Sequence, residues 1–506
     1  MDAPSRSHLA SPILVANYRS LPSFMYRDSL PEAAVSPQLL ALNTRLLETL
    51  EQDLAWFNSS DALEQLSGKT YYGSNLPFAL AYSGHQFGGW SPVLGDGRAH
   101  VLGQLKTAAD ELIDVQLKGS GATPFSRGGD GRATLGAVIR EYLLSEAMAG
   151  LNISTTGSLA VIATGEDVWR NGAYPGAILV RTAKSHLRVG SFQYAAVHQG
   201  PEAVKTLADF ALAQYYPELS HDENPYQALL AQVIKGQAEL VAQWMLVGFI
   251  HGVMNTDNSS ITGETIDYGP CAFMDEFNPN KVFSSIDSQG RYAWGNQGAI
   301  AQWNMARLGE TLLPLLDSDE AKALEIAQAQ LGDFNRLFAE HFYQGMARKL
   351  SLDASDPELI PFVDSTLQLM TNTRVDFCQF FNALTEYHST HREQDAGLVA
   401  LFSTEAFPSL SSTPAQLLQD WLSQWQAKAC DSQAALAAMI KANPKFIARN
   451  HKVEAAISAA EQNNDYSLFL DMARVLANPY VLAEQDKHYQ DAPTPDQRVK
   501  QTFCGT

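Results

Sequence analysis

The stretch His251-Gly252-Val253-Met254-Asn255-Thr256-Asp257-Asn258, continued by Ile266-Asp267-Tyr268-Gly269, decides how this chain of 506 residues is read. The largely apolar run from Tyr226 to Val253 predicts a long helix feeding a polar loop over 254–260, with a short strand leading into Ile266. Asn258 and Asp267 stand nine residues apart. An amide and a carboxylate at the ends of such a loop make an oxygen-donor site, which suits Mg²⁺ or Mn²⁺ sharing substrate phosphates. Asp257 is a spare carboxylate, a candidate general base whose role depends on geometry. Asx-turn capping by Asp257 and Asn258 would account for both residues structurally; the functional reading is preferred for this cluster.

Upstream, Ile113-Asp114-Val115-Gln116-Leu117-Lys118 alternates apolar and polar residues, the period of a half-buried strand. It sets Asp114, Gln116 and Lys118 on one face. A lysine fixed on a strand about twenty residues after Gly95-Asp96-Gly97-Arg98 can reach phosphates as a point charge. In the Gly-Asp-Gly-Arg segment, glycines allow close backbone approach to a phosphate and Arg98 adds a bidentate charge, although for that segment taken alone a plain hairpin turn is the preferred reading. A helix is predicted from about residue 134 to 149. Its Glu141 is the natural carboxylate partner for a buried Lys118, with Glu146 the alternative. Between strand and helix, Gly128-Gly129-Asp130-Gly131-Arg132 reads as either a surface loop or a nucleotide loop. Residues 158–182 predict two strands joined at Asn171-Gly172. Arg181 and Arg188 then form a local basic patch, either surface ion pairs or a triphosphate clamp.

Toward the ends, Leu39, Leu42, Leu46 and Leu50 recur at helical spacing within an otherwise irregular arm. Residues 297–480 read as successive amphipathic helices. The expected organisation is an arm and helix over 1–75, a β-rich nucleotide-binding lobe over 76–200, a helical lobe with the catalytic and metal-binding loops over 201–310, and a helical extension over 311–506.

Composition narrows the partners. Thirty-five Lys and Arg against 55 Asp and Glu give a net charge of −20. Global attraction to nucleic acid or anionic lipid is therefore not expected, and an anionic ligand needs a local cluster of cations. No apolar run reaches the ~18 residues of a membrane helix, and the first twenty residues carry no secretory pattern. Four cysteines, at 271, 378, 430 and 504, show no metal-ligand spacing. A cytoplasmic enzyme with reduced thiols is expected. Cys504, third from the end, is expected to be the accessible thiol.

The order of parts matches protein kinases: a Gly-rich loop, a strand lysine, a helix glutamate, then H-R-D-x-x-x-x-N and D-F-G. Gly95 and Gly97, Lys118, Glu141, His251 to Asn258 and Asp267-Tyr268-Gly269 fill these slots in sequence. The slot of the kinase base holds Val253 instead, and the nearest acid is displaced to Asp257.

The segments YSGHQFGGWSPVLGDGRA (82–99), QLKGSGATPFSRGGDGRA (116–133), EDVWR (166–170), RTAKSHLRVG (181–190), HGVMNTDNSSITGETIDYGP (251–270) and FNPN (277–280) resemble the family of selenoprotein O and its bacterial YdiU relatives. The resemblance implies an α+β, protein-kinase-like bilobal fold with a helical C-terminal extension. It implies a protein adenylyltransferase: ATP lies inverted, AMP passes to Ser, Thr or Tyr hydroxyls of proteins, and pyrophosphate leaves. UTP is a related donor in some members. By motif, Gly95, Gly97, Arg98, Lys118, Asp130, Gly131, Arg181, Arg188 and Asp267 are implied to contact the nucleotide. Glu141 positions Lys118, Asp257 is the proton acceptor, and Asn258 with Asp267 holds Mg²⁺ or Mn²⁺. A monomer is expected. Some bacterial members pair a tail cysteine with one in the segment after DYGP; here Cys504 is kept, but Phe283 stands about where its partner is expected, with Cys271 a substitute.

Overall fold

The computed structural model describes residues 11–71, 76–390, 396–402 and 413–502. Its strands in chain order are β1 (Tyr26–Asp28), β2 (Gln38–Leu42), β3 (Phe78–Leu80), β4 (Gly84–Gln86), β5 (Gly89–Ser91), β6 (Ala99–Lys106), β7 (Leu112–Lys118), β8 (Ala133–Thr134), β9 (Gly157–Trp169), β10 (Ala173–Ala183), β11 (Phe249–Ile250) and β12 (Ala272–Phe273). One antiparallel sheet runs β1-β3-β6-β7-β10-β9-β2, with β8 on β10. The β4–β5 hairpin stands apart from it, and β11 pairs with β12.

The alternation over 113–118 becomes β7, in the middle of the sheet. Val115 and Leu117 pack into one apolar core with Leu102, Leu105 and Val180. The polar face is not solvated as a half-buried strand would require: Asp114 and Gln116 are fully buried. Buried polar groups demand partners, and the register supplies them, setting Gln116 opposite Arg181 and Asp114 opposite Gln104, whose amide donates to it at 2.8 Å. The helix Leu135–Gly150 lies where expected, begun by Thr134, whose hydroxyl accepts from Ala137 N. Its residues join Leu179, Val101 and the C-terminal helices in the largest core. Asn171-Gly172 does join β9 to β10.

Three local expectations are corrected. Leu39 and Leu42 do not belong to a helix with Leu46 and Leu50: residues 38–42 form β2 on the edge of β9, and only Thr44–Thr49 is helical, capped by Asn43. Pairing to an open sheet edge outweighs a short helical period. The long helix ends at Leu246 rather than Val253. Gly248, at φ +72°, turns the chain into β11, so His251 lies beyond the helix. No strand precedes Ile266; Thr265 instead makes an isolated bridge with Thr155, and the sheet partner of β11 comes later, at β12.

Downstream, helices run from Gln297–Leu316 to Ser467–Leu476. The last two return to the sheet side. Glu461 accepts from Gly136 N at 2.8 Å, Glu454 pairs with Arg140, and Phe469 meets Tyr142 edge-on at 5.2 Å between centroids. The C-terminal region therefore buttresses the helix that carries Glu141. Among the described residues, no helix is long and apolar enough to cross a membrane.

Candidate active site

A cavity of about 360 Å³ opens where the sheet meets the 253–269 loops. Gly95, Gly97, Arg98, Lys118, Glu141, Arg181, Arg188, Asp257, Asn258 and Asp267 all line it. Residues 172 apart in sequence, Gly95 and Asp267, thus share one wall.

Its floor is a charge cluster centred on Asp267. Lys118 Nζ lies 2.6 Å from Glu141 Oε2 and 2.7 Å from Asp267 Oδ1. Arg181 Nη1 donates to the same Asp267 oxygen at 2.8 Å and stands 3.5 Å from Glu141 Oε1. Arg188 Nη1 donates to Asp267 Oδ2 at 2.8 Å and to the backbone oxygen of Asp257 at 2.7 Å. Both arginines are only 2% exposed. Glu141, not Glu146, is the partner of Lys118; Glu146 accepts from Asn43 and Arg45. Burial alone would raise the Asp267 carboxyl, but Lys118, Arg181 and Arg188 together hold it well below the usual carboxylate range. Asp267 also adopts φ +64°, a left-handed conformation that costs a non-glycine residue about 1–3 kcal/mol and is retained where the surroundings over-determine it.

Asp257 lies in a different environment. It is buried, its Oδ2 accepts from Gln86 Nε2 at 3.0 Å, and its Oδ1 has no hydrogen-bond partner. Burial pushes its carboxyl up to about 6, with Gln86 and Arg188 pulling partly against it. A carboxylate near that value accepts a proton readily at neutral pH.

The donor set suits a small divalent cation. Asn258 donates Nδ2 to Val253 O at 2.9 Å, which leaves its amide oxygen for a ligand, and it shares the cavity wall with the Asp267 carboxylate. Two oxygen donors match Mg²⁺ or Mn²⁺ completing its shell with waters and phosphates. Among the described residues no group of three His, Cys, Asp or Glu could hold a metal unaided.

Two expected contacts lie elsewhere. Asp130 is outside the residues lining the cavity, held by a bidentate pair with Arg170 at 2.8 and 3.0 Å. Gly131, at φ +64°, packs so closely on Gly121 that any Cβ would overlap its carbonyl. Cys504 falls outside the described residues. Phe283 is buried with the Lys281 ammonium 4.6 Å from its ring centroid, and its carbonyl accepts from Thr502 N at 2.8 Å. The tail therefore reaches the expected segment, where Phe283 has no thiol to offer.

Sequence reasoning did not single out Asp96, Gln116, Gln86 or Tyr82. Gln116 accepts from Arg181 at 2.8 Å and donates to Asp96 at 3.0 Å, while Tyr82 lies under Arg188, 4.6 Å from ring centroid to guanidinium carbon. Asp96 and Tyr82 sit within the Gly-rich segment and Gln116 shares the Lys118 face, so their positions were the available signal.

A family model described as protein adenylyltransferase SelO matches residues 14–477. A Bradyrhizobium sp. (strain BTAi1) protein named protein nucleotidyltransferase YdiU is 46% identical over 494 residues, covering 97% of this chain and 98% of that protein. The Bradyrhizobium diazoefficiens protein of the same name is 47% identical with the same coverage. One from Alkaliphilus metalliredigens, also so named, is 46% identical over 493 residues, 97% of each chain. The chain belongs to the protein adenylyltransferase SelO family and is a protein nucleotidyltransferase.

Proposed function

We propose that this enzyme transfers AMP from ATP to Ser, Thr or Tyr hydroxyls of proteins and releases pyrophosphate, with UTP as a related donor. The observation that carries the reading is one cavity in which Lys118, Arg181 and Arg188 gather on Asp267 while the Asp257 carboxylate, held by Gln86, stands on the same wall away from them. Asp257 Oδ1 or Oδ2 takes the proton of the acceptor hydroxyl as its oxygen bonds to the α-phosphorus, and the bond from that phosphorus to the pyrophosphate oxygen breaks. Lys118, Arg181 and Arg188, now gathered on Asp267, would turn part of their charge to the triphosphate, neutralising what develops on the leaving group. Asn258 and Asp267 would hold Mg²⁺ or Mn²⁺, which when bound supplies further charge neutralisation. Gly95, Gly97 and Arg98 lie against the nucleotide, with Arg98 exposing a cation to the cavity.

The chain is read as a kinase-like pair of lobes, 76–200 and 201–310, with ATP inverted so that the α-phosphate faces the acceptor. In that reading the Asp130–Gly131 loop approaches the far end of the nucleotide. A true phosphotransferase is the second reading, favoured by the kinase-like order of parts and opposed by Val253 in the base slot. In the proposed reading the enzyme is cytoplasmic and monomeric.

The test is incubation with Mg²⁺ or Mn²⁺ and ATP labelled at the α or the γ position. Label on protein from the α position alone is expected. Label from the γ position alone would make the protein a kinase and overturn this reading.

A further inference from the structure

The β4–β5 hairpin lies outside the main sheet, and its hydrogen bonds lead to the catalytic loop. His85 N donates to Thr256 Oγ1 at 2.8 Å, and Phe87 N donates to Asn255 Oδ1 at 3.1 Å and to Tyr292 OH at 3.0 Å. Thr256 Oγ1 in turn donates to Gln193 Oε1 at 2.7 Å, and Tyr292 OH to Asn255 Oδ1 at 2.7 Å. The backbone of the hairpin is thus latched to residues 255 and 256. Gln86, between the two latched residues, sends its side chain to Asp257 Oδ2 at 3.0 Å and lines the cavity. On the other side of the same carboxylate stands Gly84, where any Cβ would overlap Asp257 Oδ1. The hairpin therefore meets both oxygens of Asp257, one with a donor and one with the bare face of a glycine.

A carboxylate turns freely about its terminal bond unless something fixes it. For Asp257, the Gln86 amide is the one side-chain hydrogen-bond donor to either carboxylate oxygen among the described residues. We infer that Gln86 is a positioning residue that orients the Asp257 carboxylate for proton transfer from the acceptor hydroxyl. A carboxylate oxygen offers two lone pairs, so Oδ2 accepts from Gln86 and still has capacity for the incoming hydroxyl. The inference rests on Asp257 being the proton acceptor.

The test compares Gln86→Met, Asp257→Asn and the double variant. Transfer is read as label from α-labelled ATP retained on the proteins of a dialysed bacterial lysate, and ATP binding is measured separately by calorimetry. Gln86→Met keeps the side-chain length and removes the donor, while the backbone latches at His85 and Phe87 stay in place. It is expected to lower kcat about tenfold with the ATP Kd unchanged, the scale on which small misplacement of a reacting group costs rate. In the Asp257→Asn background the same substitution is expected to change nothing, because there is no base left to orient. Gln86→Asn, one methylene too short to reach, should behave as Gln86→Met does.

A wild-type kcat in Gln86→Met or Gln86→Asn would overturn the inference. So would a parallel loss of kcat and ATP binding, or the same fractional loss in both backgrounds, since each marks a merely structural role. If Asp257→Asn leaves no measurable transfer, the split between kcat and Kd in Gln86→Met decides alone. Normal transfer by Asp257→Asn is a separate failure: it would remove the proton-acceptor reading itself.

Discussion

Asp257 and Asp267 stand on neighbouring turns of one cavity, ten residues apart, and their surroundings drive them in opposite directions. The 266–269 turn is pressed against Lys118, Arg181 and Arg188, and its carboxylate is bound so strongly that the backbone accepts a left-handed aspartate. The 255–258 turn meets an amide, a glycine and a single backbone-directed arginine, so burial dominates and the carboxyl rises to about 6. Two carboxylates separated in this way are suited to two roles, a fixed anion and a proton acceptor. The residue type does not decide which is which; the neighbours do.

Four experiments would break or sharpen that contrast. The largest effect is expected for Asp267→Ala, which leaves two buried arginines and Lys118 short of their shared anion and removes an oxygen donor. Metal-dependent transfer should fall about 10³-fold or more, on the scale of losing a preorganised charge; near-normal turnover in a transfer assay would detach this residue from the chemistry. Next, activity should depend on pH through Asp257. In the proposed mechanism its ionised form is the base, so transfer is expected to rise with pH through about 6 and to be about tenfold below its plateau at pH 5. Asp267 stays ionised across that range, so ATP binding should be flat. A flat transfer rate from pH 5 to 8 would erase the distinction between the two carboxylates.

Arg188 links the turns through one nitrogen, 2.7 Å from Asp257 O and 2.8 Å from Asp267 Oδ2. Arg188→Lys keeps the charge but not the reach or planarity, and is expected to cost about tenfold in transfer, measurable as kcat/KM for ATP. The smallest effect concerns the loop between the arginines. Glu264 accepts from the backbone N–H groups of Lys184 and Ser185, and burial pushes its carboxyl up to about 7. A carboxyl raised by folding is favoured while protonated. Its contribution is present below the unfolded value and is lost as pH rises through about 7. Glu264→Gln should therefore raise the melting temperature by about 1–3 °C at pH 8, an advantage that shrinks as pH falls and disappears below about pH 4.

Much of this site was readable in the sequence because its parts lie in short, locally patterned segments. Strict alternation located Lys118, helical spacing located Glu141, and the loop composition located Asp257, Asn258 and Asp267. Their convergence was readable only through the order of parts and the family motifs. What escaped was set by tertiary context. Leu39 and Leu42 follow a helical period, yet the open edge of β9 takes them as a strand. Gln86 reaches Asp257 across 171 residues, and Gln116 reaches Arg181 across 65. Such contacts leave no period in the chain, and a buried polar residue on a strand looks the same as a solvated one until its neighbours are placed.

The most direct test of the two-carboxylate account is to measure Mg²⁺–ATP binding and α-label transfer side by side in Asp257→Asn. The account predicts an ATP Kd close to that of the unaltered enzyme and transfer lowered about 10²–10⁴-fold, the range for losing a general base. Equal loss of binding and transfer would contradict it and make Asp257 a structural residue of the cavity wall.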